Sequence, residues 1–105
     1  MATLPEIPMS ADNEEVLIPV GWYEAHQWQR LEEIAPDVKK IWESYEEWMT
    51  VAVRKLSAPT LGGKRYVKVP IDVEQLLQWC QQHGRDVDAR ARADYAAELL
   101  EQQLL

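Results

Sequence analysis

The sequence predicts a mainly α-helical fold of four helices with one or two short strands, and three observations carry this prediction. Apolar residues recur at three-and-four spacing over about 36–57, the repeat of a buried helix face. Two short β-branched segments, about 16–20 and 65–71, are typical of strands. Proline and glycine residues divide the chain between these segments. We therefore expect one domain over 16–105, with helices over about 23–35, 36–57, 72–83 and 87–103.

The first 35 residues predict an arm, an edge strand and a helix. Residues 1–15 show little periodicity and contain two prolines, which predicts a flexible or extended arm. In the following segment EVLIPVG, Pro19 restricts the strand to a sheet edge because proline cannot donate to a ladder. The helix over about 23–35 would bury one stripe, formed by Ala25, Trp28, Leu31 and Ala35.

The segment over about 36–57 predicts one continuous helix. Pro36 suits the first turn because the N–H that proline lacks has no partner there. Arg54 and Lys55 suit the last turn because cations interact favourably with the C-terminal end of the helix dipole. The expected buried stripe is Val38, Ile41, Trp42, Tyr45, Trp48, Met49, Ala52 and Leu56.

The stretch LGGKRYVKVPID predicts a turn followed by a half-buried strand. Its two glycines permit a turn at positive φ. Beyond them, Val67 and Val69 alternate with Tyr66 and Lys68, so one face of the strand is apolar and the other polar. A phosphate-binding loop would need a helix N-terminus directly after its lysine, and a strand pattern stands there instead.

The last two predicted helices have capping signals at their ends. Asp72 is the expected N-cap of the third helix, with Gln75 three residues later as in a capping box. Gly84 would end that helix. Either Asp86 or Asp88 would cap the fourth, whose stripe is rich in alanine and allows close approach of another helix.

Charge is distributed unevenly along this acidic chain. The net charge is −7, which argues against nucleic-acid binding through bulk electrostatics. Residues 1–50 hold 11 acids and 3 bases, a balance of −8, whereas residues 51–105 hold 7 acids and 8 bases, a balance of +1. Such a dipolar chain could steer a charged partner or a second copy of itself.

The sequence offers little that is typical of an enzyme. Cys80 lies on an apolar stripe, where a thiol is expected to be buried and inert. His26 and His83 have no recognised metal-ligand spacing around them. We therefore expect a non-enzyme that uses neither a cofactor nor a metal. A single cysteine, no signal peptide and no long apolar run predict a cytoplasmic protein that does not enter the membrane.

We interpret the protein as a non-catalytic interaction or regulatory module that binds another protein. The candidate surface combines aromatic, acidic and basic residues: Trp22, Tyr23, Glu43, Glu46, Glu47, Lys64, Arg65 and Lys68. One alternative is an acidic inhibitor, antitoxin-like or mimicking nucleic acid, that occupies a basic protein surface. A second alternative is a small-ligand binder or enzyme with an aromatic pocket.

A homodimer is a further expectation for this module. The strand over 65–71 needs a partner for its backbone groups. A second copy could supply that partner, and two-fold symmetry is the commonest arrangement of such pairs. Pairing with the segment over 16–20 in the same chain is the competing arrangement.

Four stretches of the chain, PVGWY, SYEEW, DVEQLLQWC and ARARADYAAELL, carry a resemblance that covers about residues 16–100. The sequence resembles small bacterial proteins of unknown function that share an aromatic start, a tryptophan-rich helix and a strand leading into a Trp-Cys helix. The resemblance implies a bacterial cytoplasmic source and no particular activity.

Overall fold

The computed structural model describes residues 16–58 and 62–104. The elements in chain order are β1 (Val16–Trp22), a 3₁₀ turn (Ala25–Gln27), α1 (Trp28–Ile34), α2 (Asp37–Ile41), α3 (Tyr45–Ser57), β2 (Lys64–Pro70), α4 (Val73–Gln82) and α5 (Ala89–Leu104). The prediction of a mainly helical fold with two short strands is confirmed. The described residues form five α-helices in place of four, and the predicted arm over residues 1–15 lies outside them.

The two strands pair with each other in parallel, with Val16 opposite Lys64 and Trp22 opposite Pro70. The N–H of Val16 donates to the carbonyl of Gly63 at 2.6 Å, and the N–H of Ile71 donates to the carbonyl of Trp22 at 2.9 Å. Pairing within one chain is therefore the arrangement found. The groups of β2 that face β1 need no second copy of the protein to satisfy them.

Both strand prolines lie where the ladder needs no donor. Successive residues of a strand point their N–H and C=O groups to opposite sides. Val16 and Trp22 bond to β2, so the alternate residue Pro19 points away from it. By the same alternation Ile71 bonds to β1 and Pro70 points outward. The expectation of an edge strand at Pro19 agrees with this geometry.

The predicted continuous helix over 36–57 is wrong, because the chain leaves helical geometry between α2 and α3. Trp42 is extended, with φ −126° and ψ 130°. Ser44 is extended too, and its Oγ accepts a hydrogen bond at 3.1 Å from the N–H of Glu47. Ser-x-x-Glu is the sequence signature of a helix start, and this local signal overrides the apolar periodicity that runs across it.

The first predicted helix also begins later than expected. Tyr23 and Glu24 precede it, and a 3₁₀ turn leads into α1. Ala25 in that turn is exposed, so it does not belong to the buried stripe. The remaining members of the predicted stripe, Trp28, Leu31 and Ala35, are buried.

Gln27 joins this region to the connection between β2 and α4. Its side-chain Nε2 donates to the carbonyl of Ile71 at 3.1 Å, and its Oε1 accepts from the N–H of Val73 at 2.7 Å. One amide therefore satisfies a donor and an acceptor where the strand turns into a helix.

The caps of α4 and α5 follow the sequence signals. Asp72 Oδ1 accepts from the N–H of Gln75 at 3.0 Å, and Gly84, with φ +61°, ends the helix. Asp88 Oδ1 accepts from the N–H of Ala91 at 2.8 Å, which decides between the two candidate caps of α5.

The buried residues of the described chain form one hydrophobic cluster, and half-buried residues of β1 pack against it. Val69 of β2 is fully buried and Val67 is half-buried, as the alternation predicted. In α5, Ala96 and Leu100 are buried whereas the alanines at 89, 93 and 97 are exposed. None of the described helices is long and apolar enough to cross a membrane.

Candidate functional site

The polar face of β2 brings together two of the eight predicted surface residues, Lys64 and Lys68, with Tyr66 between them. Lys64, Tyr66 and Lys68 alternate along the strand with Arg65 and the two valines, so Arg65 lies on the other face. Both lysines are exposed, and Tyr66 is 36% exposed. Within residues 16–58 and 62–104 neither lysine forms an ion pair. Two positive charges thus flank one aromatic ring, on Cα atoms about 13 Å apart at strand spacing.

Trp22, at the end of β1, extends this face. The Nζ of Lys68 lies 4.3 Å from the centroid of the Trp22 ring, within the range of a cation–π contact. The indole Nε1 donates to Glu24 Oε2 at 3.1 Å. We call Trp22, Lys64, Tyr66 and Lys68 the basic β2 surface.

Tyr23, in contrast, belongs to the core. It is 6% exposed and lies in a cluster of five rings centred on Trp48. The Trp48 ring centroid is 5.4 to 5.5 Å from those of Trp22, Tyr23, Trp28 and Tyr45. The hydroxyl of Tyr45 donates to the carbonyl of Tyr23 at 2.9 Å. Tyr23 therefore packs against Trp48, which also contacts Trp22, and presents little of its ring to a partner.

The predicted acidic residues lie at the N-terminal end of α3, where some of them already interact with the helix itself. Glu47 Oε1 accepts from the N–H of Glu43 at 2.8 Å, so its carboxylate fixes the start of the helix. Glu46 and Glu47 in the first turn also interact favourably with the helix dipole, as Arg54 and Lys55 do in the last turn. Helix electrostatics thus accounts for much of this charge pattern without a partner.

A groove of about 230 Å³ lies beside β1, between α3 and α5. Its lining includes residues 18–21 of β1, four aromatic residues and two cationic residues. The aromatic residues are Tyr23, Trp42, Trp48 and Tyr66, and the cationic residues are Lys55 and Arg92. Burial raises the pKa of Tyr23 to about 12, because the phenolate loses its hydration there. This tyrosine is therefore a neutral hydroxyl at physiological pH.

The cation at the back of this groove is already matched. Arg92 donates through Nη1 and Nη2 to the two carboxylate oxygens of Asp37, both at 2.8 Å, and Nη1 also donates to the Val87 carbonyl at 3.2 Å. Hydrogen bonds from Arg92 hold the pKa of the Asp37 carboxyl below its usual range. The pair ties α5 to the start of α2 and leaves little charge for an anionic ligand.

The two outer edges of the sheet differ in the backbone donors and acceptors that they present. On β2, the carbonyl of Gly63 and the N–H of Ile71 bond to β1. Because successive residues alternate, Lys64, Tyr66 and Lys68 point their N–H and C=O groups to the outer edge. The part of the chain that the structure describes places no strand on that side. On β1, Pro19 interrupts the donors, and α5 lies alongside, where Leu100 shares a shallow cavity with this proline.

The remaining candidates for chemistry are shielded or isolated. Cys80 is 0% exposed, and burial raises the pKa of its thiol, which keeps it protonated. His83 is exposed and its ring lies 4.3 Å from that of Trp79, while His26 is exposed on the 3₁₀ turn. Over residues 16–58 and 62–104, no three His, Cys, Asp or Glu side chains are grouped so as to hold a metal ion.

Sequence reasoning missed two groups that organise the site. Gln27 meets Ile71 across 44 residues, and Arg92 meets Asp37 across 55 residues. No local pattern marks such contacts, since polar residues on exposed helix faces look alike in sequence. The helix start at Ser44, by comparison, had a readable signal.

Comparison with known proteins adds no relatives to this description. No protein-family model, curated protein or solved structure matches the chain. The resemblance to small bacterial proteins therefore stays a prediction, and function has to be argued from the geometry of the site.

Proposed function

We propose that the protein is a non-catalytic interaction module that binds a partner protein through the basic β2 surface. The observation that carries this proposal is the exposed pair Lys64 and Lys68, which has no ion-pair partner in the described parts of the chain. Tyr66 lies between the two lysines on the strand, and Lys68 contacts the ring of Trp22. Aromatic side chains that are held rigidly at the surface are favoured in protein interfaces. Trp22 is held in this way by its contacts with Trp48 and Lys68.

Catalysis is disfavoured by the state of the reactive side chains. The thiol of Cys80 is buried and its pKa is raised, so it is a poor nucleophile. The Tyr23 hydroxyl has a pKa of about 12 and stays protonated. A general acid or base works best with a pKa near the working pH, and neither group meets that condition.

The two other candidate functions receive less support. For an acidic inhibitor, the acids would need to face a partner, yet Glu33 pairs with Arg30 at 3.3 Å and Glu47 accepts from the N–H of Glu43 at the start of α3. For a small-ligand site with aromatic walls, the groove beside β1 holds about 230 Å³, below the usual range of about 300 to 1,000 Å³. A cavity beside Gln27 reaches about 520 Å³, but none of the tryptophans or tyrosines that the structure describes lines it. The lysines of the basic β2 surface, by contrast, form no ion pair among the described residues.

A charge-reversal capture experiment tests the proposal. The double variant Lys64→Glu, Lys68→Glu alters the basic β2 surface, and the control variant Lys39→Glu, Lys40→Glu makes the same charge change on exposed residues of α2. We expect proteins from the source cytoplasm that bind the wild type and the control to be lost from the β2 variant. Equal capture by all three, with unchanged circular dichroism, would remove this surface from the interaction.

A further inference from the structure

We propose that an extended acidic segment of the partner adds to the outer edge of β2 as a third strand. This inference rests on the proposed function and specifies its binding mode. Three consecutive outward residues, Lys64, Tyr66 and Lys68, each offer one backbone donor and one acceptor on that edge. Strand addition is an established mode of recognition in which main-chain hydrogen bonds supply affinity and side chains supply specificity.

The unequal edges of the sheet point to β2 and away from β1. Along β1, every second residue points outward, and Pro19 is the central one, so a third strand there would meet a missing donor. The helix α5 also lies along that side. Along β2, the first outward residue without an N–H is Pro70, at the last position of the strand. The donors at the three positions before it are uninterrupted.

The size of the sheet argues in the same direction. A two-stranded sheet is marginal by itself and is stabilised by further strands or by an apolar face against helices. Here the face with Val69 is buried, whereas Lys64, Tyr66, Lys68 and Pro70 are all exposed. A third strand would pair the outward groups while leaving the buried face unchanged.

Charge complementarity defines the chemistry of the incoming segment. The side chains of Lys64 and Lys68 project from one face of β2, on either side of Tyr66. Residues directly opposite each other in paired strands interact, and like charges there are destabilising. The segment therefore carries Asp or Glu at two positions four residues apart, with a β-branched or aromatic residue midway between them. The lysines also repel basic strands and the same edge of a second copy.

A designed peptide tests this pattern directly. The probe is a capped seven-residue peptide with Glu at its second and sixth positions, Val at its fourth and Thr elsewhere. We expect it to slow amide hydrogen exchange at Lys64, Tyr66 and Lys68, with no change at the amides of α2. A peptide with Lys in place of both Glu residues should bind about tenfold more weakly, since each exposed charge pair contributes modestly.

Two substitutions at one residue separate backbone pairing from side-chain contact. Tyr66→Pro removes an outward N–H without removing a hydrogen bond to β1, whereas Tyr66→Thr removes the ring and keeps the N–H. Both variants lack the ring, so the difference between them isolates the N–H. We expect Tyr66→Pro to bind the Glu peptide about tenfold more weakly than Tyr66→Thr, because one backbone hydrogen bond is lost. Equal binding by the two variants would overturn strand addition.

A charge swap keeps the test decisive if Tyr66→Pro fails to fold. The variant Lys64→Glu, Lys68→Glu should prefer the Lys peptide over the Glu peptide, and an unchanged preference would overturn the proposal. Sedimentation equilibrium of the protein alone tests whether a second copy occupies the outer edge of β2. If Tyr66→Thr forms a dimer and Tyr66→Pro does not, the edge binds a second copy and the proposed partner segment is overturned. If no peptide binds, but the β2 variant still loses the proteins that the wild type and the control capture, strand addition is rejected. The proposal of an interaction module would then stand.

Discussion

The two aromatic clusters of the protein differ in how their polar atoms are satisfied. Around Trp48, five rings from β1, α1, α3 and the segment that follows β1 contact one another, and the buried Nε1 of Trp28 has no partner among the described residues. Around Trp79 the ring contacts are fewer and charged groups are close: the indole donates to Glu98 at 3.2 Å, and Arg85 lies 5.4 Å from the ring centroid. The first cluster is formed mainly by ring packing between four chain segments, and the second is a contact between two helices that includes charged side chains.

This contrast shows that tryptophan content alone does not indicate a binding site. Trp28 and Trp48 are buried, so their main contribution is burial of apolar area. Trp79 is half-buried and ties α4 to α5 through Tyr95 and Glu98. Among the rings that are partly exposed, Trp22 is the one in contact with an exposed lysine of the basic β2 surface.

The largest expected difference between the clusters is in stability after truncation. Trp48→Ala should lower the free energy of unfolding by about 3 to 5 kcal/mol, because it leaves a cavity among four rings. Trp79→Ala should cost about 1 to 2 kcal/mol, since its ring is already half in water. Urea unfolding followed by far-ultraviolet circular dichroism measures both. Equal losses would mean that the two clusters contribute alike.

The second expected difference appears at alkaline pH. The pKa of Tyr23 is raised to about 12, so its stabilising effect is complete below the unfolded-state pKa of about 10 and is lost as pH rises through about 12. We expect wild-type stability to fall by about 2 to 3 kcal/mol across this interval from this residue alone. Tyr23→Phe should remove that part of the decline. Thermal unfolding at several pH values between 9 and 12 provides the comparison, and parallel curves for the two proteins would contradict it.

The helix caps next to the two clusters should contribute equally to stability. Ser44 starts the helix that carries Trp48, and Asp88 starts the helix that carries Tyr95. Ser44→Ala and Asp88→Ala should each cost about 1 kcal/mol, because each removes one cap hydrogen bond. Chemical unfolding of both variants checks this equality. A much larger loss for Ser44→Ala would show that the cap and the ring cluster act together.

The smallest expected effect concerns the polar atom of the second cluster. Trp79→Phe keeps a ring against Tyr95 and loses the hydrogen bond to Glu98. We expect a loss of about 0.5 to 1.5 kcal/mol, the usual net contribution of one hydrogen bond. Glu98→Gln is the control, because an amide oxygen can still accept from the indole. If both variants lose the same stability, the charge of Glu98 matters and the hydrogen bond alone does not.

The sequence allowed prediction of those elements whose signals are local. The alternation along β2, the caps at Asp72 and Asp88 and the turn at Gly84 all involve neighbours within four residues. The division between α2 and α3 was also readable at Ser44, but the apolar periodicity that crosses it favoured a continuous helix. Within the predicted candidate surface, Lys68 contacts Trp22. Lys64, in contrast, lies opposite Val16 at the other end of the sheet, and Tyr23 is buried. The role of this surface in binding stays a prediction.

What could not be predicted depends on contacts between distant residues. The parallel pairing of β1 and β2, the Arg92–Asp37 ion pair and the bridge formed by Gln27 each join segments that only the assembled fold brings together. The exposure of each tryptophan depends on the same assembly. Periodicity states which face of a helix is apolar, and it does not state what covers that face.

The parallel sheet also has a consequence for how the chain folds. Val16 and Lys64 are 64 − 16 = 48 positions apart, and three of the described α-helices lie between the strands. Closing so long a loop costs conformational entropy before any ladder bond repays it. We expect the helices to form first and the sheet to form after the transition state, so that Val20→Ala accelerates unfolding and leaves the folding rate nearly unchanged in stopped-flow measurements. During synthesis, β1 would leave the ribosome before β2 and would remain unpaired until β2 had been synthesised.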